Sequence, residues 1–296
     1  MRRACIDIGS NTTRLLVADC DRDRLVDVHQ DRSFTHIRRG MQRDGTIPGW
    51  KLDEVANVVR DQVRQAHALG AEEVLGVGTA ALRQAVNASA LVLAIRDSCG
   101  LTIEVLPERE EARLAFVGAA RTLGHVPPGP LGVADVGGGS SELVVGIAPD
   151  RISWSSSFEL GSGDLADRYL HSDPPSAAEL AAARAAVAEI LQEVDVPVPQ
   201  EAVAVGGSAA SLRLLAGPLL DADAFVRSLT LLGAEQAIDI SRQFTLDLER
   251  VRLLPAGLLI LEAVSRLFGV ALQVGRGGLR EGVLFERAQS SRRAKA

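Results

Sequence analysis

The sequence predicts an α/β protein built from two similar halves, each a mixed sheet flanked by helices. Internal similarity is the main ground for this reading. Residues 5–19, CIDIGSNTTRLLVAD, and 133–147, VADVGGGSSELVVGI, align without a gap at an offset of 128 and match Asp7 with Asp135, Gly9 with Gly137 and Thr12 with Ser140. A second pair follows in the same order. Gly78-Thr79-Ala80-Ala81 ends the strand-like VLGV, and Gly207-Ser208-Ala209-Ala210 ends the strand-like VAVG at an offset of 129. Two matches in one order at nearly one spacing imply a duplicated domain.

The elements support this in turn. Residues 3–8, 14–20 and 24–30 read as β-branched strands joined by Gly, Ser, Asn and Asp turns, hence a meander. Residues 52–69 carry apolar side chains at helical spacing and stop at Gly70. Strand 73–77, helices through 80–98, strand 101–106 and helix 107–121 complete the first half. The Pro/Gly stretch at 125–132 is the expected seam, giving domains 1–124 and 125–296. Strands 131–136, 142–147 and 151–158 repeat the meander. Helix 177–194, strand 201–205, helices over most of 208–268 and strand 270–274 follow. The final helix near 279–288 has the option of packing back on the first domain.

Composition bounds the function. The chain has 296 residues, 47% hydrophobic and 24% charged, with net charge −6, as expected of a two-domain soluble protein. No apolar run approaches the roughly 20 residues of a membrane span, and the N-terminus lacks a signal peptide's apolar stretch, so a cytoplasmic protein without membrane contact is expected. Cys5, Cys20 and Cys99 are widely spaced, which fits free thiols rather than a disulfide framework or zinc site. Of 32 basic residues only Lys51 and Lys295 are lysines, which disfavours phosphate-loop NTPases and Schiff-base enzymes. The negative net charge disfavours nucleic-acid binding, and the short basic tail, Arg292 to Lys295, reads as a frayed end.

The turns carry the chemistry. Asp7 and Asp135 end apolar strands, where a carboxylate is costly unless it meets a cation or donors. Gly137, Gly138 and Gly139 let backbone N–H groups approach an anion, and Thr12, Thr13, Ser140 and Ser141 add hydroxyls. Two such hairpins could clamp phosphates while the aspartates hold Mg²⁺; a plain tight turn is the alternative. Arg14 stands where the second copy has Glu142, either as phosphate and metal ligands or as an ordinary surface charge pair. Glu108, Glu110 and Glu111 open a helix, and one of them could activate water or all could simply complement the helix dipole. Thr79, Gly207 and Ser208 precede helices and could receive anions, with Arg83 one turn on; capping explains the same residue types. GRGGLREG at 275–282 could close a pocket or only turn the chain.

Together DxGSN, GTxAxR, EEAR and DxGGGSxE resemble the exopolyphosphatase and guanosine pentaphosphate phosphatase (Ppx/GppA) family over nearly the whole chain. That family is a branch of the duplicated actin-like (ASKHA, ribonuclease H-like) fold, two domains about an interdomain cleft. The resemblance implies metal-assisted hydrolysis of a terminal phosphoanhydride of inorganic polyphosphate, releasing orthophosphate. It gives the water-polarising role to Glu111. It assigns Mg²⁺ (or Mn²⁺) to Asp7 and Asp135, matches Glu142 to the acidic end of the second motif, and gives phosphates to Ser10, Asn11, Thr12, Arg14, Thr79 and Gly137 to Ser141. Guanosine pentaphosphate is the alternative substrate. A catalytically silent phosphate-binding regulator and a sugar-kinase-like phosphotransferase are the other readings. Longer family members carry a further C-terminal helical region, so short polyphosphate or a nucleotide gains weight here. Two-lobe members are often homodimers.

Overall fold

The computed structural model describes residues 1–21 and 24–293, with side chains described to residue 290. The chain forms two compact units, one of residues 1–121 together with Leu279 onward, the other Thr122–Gly278.

Unit 1 begins with β1 (Arg2–Ile8), β2 (Thr12–Asp21) and β3 (Arg24–Phe34), an antiparallel meander. Next come α1 (Ile37–Gly40), α2 (Gly49–Ala68), β4 (Glu73–Gly78), α3 (Ala80–Gln84), α4 (Ala88–Cys99), β5 (Ile103–Val105) and α5 (Glu108–Thr122). The sheet order is β3-β2-β1-β4-β5, with β4 parallel to β1 and to β5. One face carries Ile6, Ile8, Leu15 and Val17 against Val55, Val59, Leu91 and Ile95 of α2 and α4. Alternation sends Cys5, Leu16 and Ala18 to the other face.

Unit 2 repeats the pattern with β6 (Leu131–Val136), β7 (Ser141–Ile147) and β8 (Arg151–Phe158). It continues through α6 (Ser162–Tyr169), α7 (Ala177–Leu191), β9 (Glu201–Val205), α8 (Gly206–Ala216), β10 (Leu219–Leu220), α9 (Ala222–Ala234), α10 (Ala237–Phe244), α11 (Leu248–Phe268) and β11 (Leu272–Val274). The order is β10-β11-β9-β6-β7-β8, so both sheets run third, second, first strand of the meander and then two parallel strands, with β10 antiparallel at the edge of the second. The apolar helix α11 lies at the centre of its core. The last helix, α12 (Leu279–Arg293), belongs to unit 1 and covers the Cys5 face with Leu279, Leu284 and Ala288. Gly282 permits this: a Cβ there would lie 2.0 Å from the Leu114 carbonyl oxygen of α5.

The duplication is exact in register. Asp7 pairs with Arg14 and Asp135 with Glu142; Gly9 N–H donates to Thr12 O and Gly137 N–H to Ser140 O; the bulges fall at Val17/Ala18 and Val145/Gly146. Val77 lies beside Asp7 and Val205 beside Asp135, so the equivalent of Gly78 is Gly206, and the 129-residue offset becomes 128. Several boundaries shift. The helices expected through 80–98 are α3 and α4, parted at 85–87; strand 101–106 shortens to three residues, and α8 starts at Gly206 rather than 208. The helices α1 and α6 and the two-residue β10 had no sequence signal. The Ala294-Lys295 end of the basic tail lies outside the described residues.

Candidate active site

In unit 1 the site starts where β1 ends. Asp7 is 1% exposed; Arg14 Nη2 donates to its Oδ2 at 2.9 Å, while its buried Oδ1 has no partner. The hairpin that follows buries Ser10, Asn11 and Thr12, and the Ser10 hydroxyl also lacks a partner. A buried hydroxyl and carboxylate oxygen left unsatisfied are costly, which is the mark of groups kept for a ligand. The helix α1 braces this loop: Thr35 and His36 N–H groups donate to Asn11 O and Arg38 N–H donates to Ser10 O. Thr79, at the end of β4, bonds back to Ile8 O and opens α3.

The structure separates the three glutamates that begin α5. Glu108 is exposed. Glu110 takes two hydrogen bonds from Arg113, at 2.9 and 2.7 Å, and that guanidinium holds its carboxyl below the usual carboxylate range. Glu111 is buried and ion-paired to Arg83, whose Nη1 also donates to Leu106 O at 3.0 Å. Arg83, expected on sequence grounds as a phosphate ligand, thus lies against Glu111.

In unit 2 the same positions hold different chemistry. Asp135 and Glu142 are buried cross-strand neighbours, and Ser157 Oγ donates to Glu142 Oε1 at 3.0 Å. Here α6 braces the glycine loop. Ser162 N–H and Oγ donate to Gly137 O, Gly163 and Asp164 N–H groups donate to Gly138 O, and Ser141 Oγ donates to Leu160 O. The contact is so close that a Cβ on Gly161 would lie 2.2 Å from Gly138 backbone atoms.

Gly206, Gly207 and Ser208 form the first turn of α8. A Cβ on Gly206, at φ 90°, would lie 2.6 Å from Asp135 Oδ1, and one on Gly278 would lie 3.6 Å from Oδ2. Gly278 therefore borders Asp135, while Arg280 and Glu281 of the same run belong to α12 in unit 1. A buried arginine that the sequence reading missed, Arg250 of α11, places its guanidinium against Gly207, 2.7 Å from a Cβ there. Its sequence signal was an arginine inside the otherwise apolar run VRLLPAGLLIL. The buried Ser208 hydroxyl has no partner.

Among the described residues no group of three or more His, Cys, Asp or Glu side chains is gathered to hold a metal by itself. The donors nonetheless fit Mg²⁺, which takes one or two carboxylates and completes its shell with water and substrate phosphate. Asp7 offers a buried unpartnered oxygen, and the Asp135–Glu142 pairing favours a cation. Among the same residues no helix is long and apolar enough to cross a membrane.

Glycine cradles, buried hydroxyls, guanidinium groups and one fixed glutamate on a duplicated α/β frame define a phosphate-handling hydrolase. The model of the Ppx/GppA phosphatase family matches residues 16–291, and the chain belongs to that family. It is 33% identical over 259 residues to Exopolyphosphatase 2 of Mycobacterium tuberculosis, covering 84% of this chain and 78% of that one. It is 27% identical over 298 residues to Guanosine-5'-triphosphate,3'-diphosphate pyrophosphatase of Photobacterium profundum, covering 96% of this chain and 58% of that one. The crystal structure of the Aquifex aeolicus member of the family superposes with a TM-score of 0.81 at 26% identity over 98% of both chains. The fold is therefore the duplicated actin-like one, and the chain is a hydrolase of phosphoanhydrides.

Proposed function

We propose that this chain is an exopolyphosphatase that removes the terminal phosphate of inorganic polyphosphate as orthophosphate. The observation that carries the reading is Glu111, the one buried glutamate of the three that open α5, held in place by Arg83. Glu111 accepts the proton of the attacking water. Such a positioned base typically contributes about 10²–10⁴ in rate. Ser10, Asn11, Thr12 and Thr79 in unit 1, and Gly137 to Ser141, Gly207 and Ser208 in unit 2, bind phosphate oxygens through N–H and O–H donors. Arg14 and Arg250 add guanidinium charge. Asp7 in unit 1 and Asp135 with Glu142 in unit 2 would hold Mg²⁺ or Mn²⁺, which neutralises phosphoryl charge when bound. The free, mostly buried cysteines suit a reducing cytoplasm.

Guanosine pentaphosphate is a second reading, favoured by the likeness to the Photobacterium relative. Phosphate release with Mg²⁺ from short polyphosphate, long polyphosphate, guanosine pentaphosphate and ATP, measured side by side, tests both. Release from polyphosphate supports the first; release from guanosine pentaphosphate alone replaces it with the second. No release from any of them contradicts both. Loss of release in EDTA, restored by Mg²⁺ or Mn²⁺, is expected for the carboxylate roles.

A further inference from the structure

Lys51 is the one lysine among the described residues, in a chain whose only other lysine is Lys295. It is 5% exposed, although lysine is almost never buried without partners. Its partners are specific. Nζ donates to Thr35 O at 2.9 Å, ion-pairs with Glu54 at 2.7 Å and lies 4.7 Å from the centroid of the Trp50 ring. The stem runs past the last residue of α1, where a Cβ on Gly40 would lie 2.9 Å from Lys51 Cε. So close a passage suits the compact ammonium of lysine better than a planar guanidinium.

The carbonyl that Lys51 holds stands at the head of a relay of peptide groups. Thr35 C=O and His36 N–H share one planar peptide group, and His36 N–H donates to Asn11 O at 3.0 Å. Asn11 C=O in turn shares its peptide group with Thr12 N–H, in the hairpin loop proposed to bind phosphate. Hydrogen bonds in such a chain polarise one another, and a cation at its head makes each N–H a stronger donor. Neighbouring contacts fix the geometry. Thr35 N–H also donates to Asn11 O at 3.0 Å, and the Thr35 and Thr13 hydroxyl oxygens lie 3.1 Å apart. At four residues α1 is too short to hold itself, so its place depends on tertiary contacts such as these.

We propose that Lys51 is a positioning residue of the phosphate site in unit 1: through the Thr35 and Asn11 carbonyls it orients Thr12 N–H and strengthens it as a phosphate donor. The proposal rests on the exopolyphosphatase reading of that loop. In this role Lys51 touches no substrate. The other use of a buried ion pair is to fasten α2 to the segment after β3, with no bearing on how the loop binds. The two uses predict different responses.

The test compares the parent with Lys51→Met, which keeps an unbranched stem without the charge, and with Glu54→Gln. The readouts are steady-state phosphate release from tripolyphosphate with Mg²⁺ and backbone amide NMR shifts, with melts to certify folding. Lys51→Met is expected to raise KM about tenfold with kcat little changed. Its His36 amide proton should move upfield, as for a weaker hydrogen bond, while that of Thr35, whose peptide group lies outside the relay, should hold. Glu54→Gln removes only the counter-charge and should leave KM at or below the parent value. Unchanged KM in Lys51→Met would overturn the proposal, as would equal shifts of the Thr35 and His36 amides. An equal rise of KM in Glu54→Gln would also overturn it, by showing that the pair only fastens α2. Gly40→Ala keeps the charge and forces the stem aside, so it should move KM and the His36 amide the same way by less. Parent values of both in folded Gly40→Ala would overturn the proposal even if Lys51→Met failed to fold. Calorimetric binding of tripolyphosphate in a Glu111→Gln background separates this from the hydrolase reading. Binding weakened by Lys51→Met, with no turnover by the parent, would sink that reading and leave Lys51 in its role.

Discussion

In unit 1 the hairpin after β1 presents Ser10, Asn11 and Thr12, and its aspartate meets Arg14; in unit 2 the hairpin after β6 presents three glycines and two serines, and its aspartate meets Glu142. The backbones agree down to the Gly9–Thr12 and Gly137–Ser140 hydrogen bonds, and each loop is braced from behind by the short helix that follows the third strand. Duplication has kept the backbone and reversed one charge. Unit 1 pairs its aspartate with an arginine across the hairpin, whereas unit 2 sets two carboxylates opposite one another at the same register. The hairpin frame therefore tolerates either sign at position 14 or 142.

The units differ more in how they are covered. Unit 2 finds all of its helices within Thr122–Gly278, while unit 1 needs α12 for its Cys5 face. Leu284 is fully buried there, and Leu284→Ala should cost about 2–5 kcal/mol of stability. Hydrogen exchange should then quicken in β1 and β2 and leave β6 and β7 unchanged. Equal quickening in both sheets would break the comparison.

Next in size is the bracing of the loops. An added Cβ meets backbone at 2.2 Å in Gly161→Ala but at 3.2 Å in Gly9→Ala. The former should cost about 1–3 kcal/mol as an overpacked contact and displace Gly137 to Gly139, depressing phosphate release. The latter should be mild. Kinetics and melts of the two variants sharpen the comparison, and a harsher Gly9→Ala would reverse it.

A smaller effect fastens α12 to the sheet. Arg287 and Arg3 together hold the Glu73 carboxyl below its usual range. A depressed carboxylate stabilises the fold at pH above its unfolded value, and that contribution fades as pH falls through the folded one. The stability gap between Glu73→Gln and the parent should thus be widest near neutrality and close in acid, as followed by denaturant titration. Smallest of all is a chemical contrast. Burial pushes the Cys5 and Cys20 thiols up, so a thiol reagent on the native protein should label Cys99 alone.

Much of this was legible in the sequence, and the reason is physical. Strands repeat every two residues and DxG turns need small residues, so the hairpins of both units stood out as a gapless match. The short braces did not. At four and eight residues α1 and α6 are too brief to show a helical period, and their role lies in backbone N–H groups that have no side-chain signature. The register of β9 escaped for a related reason, because two adjacent glycines let the alignment slip by one. Among the site residues, Glu108, Glu110 and Glu111 were indistinguishable by type. Only packing shows that Arg113 takes one and Arg83 another. Arg250 was hidden by its apolar neighbours.

The measurement closest to the central claim is phosphate release from polyphosphate by Glu111→Gln beside the parent, with Glu110→Gln as the control and circular dichroism to certify folding. The predicted result is a loss of about 10²–10⁴ in kcat for Glu111→Gln. Glu110→Gln should keep most of its activity. Comparable turnover by the folded Glu111→Gln protein, or an equal loss in Glu110→Gln, would contradict the assignment of Glu111 as the base.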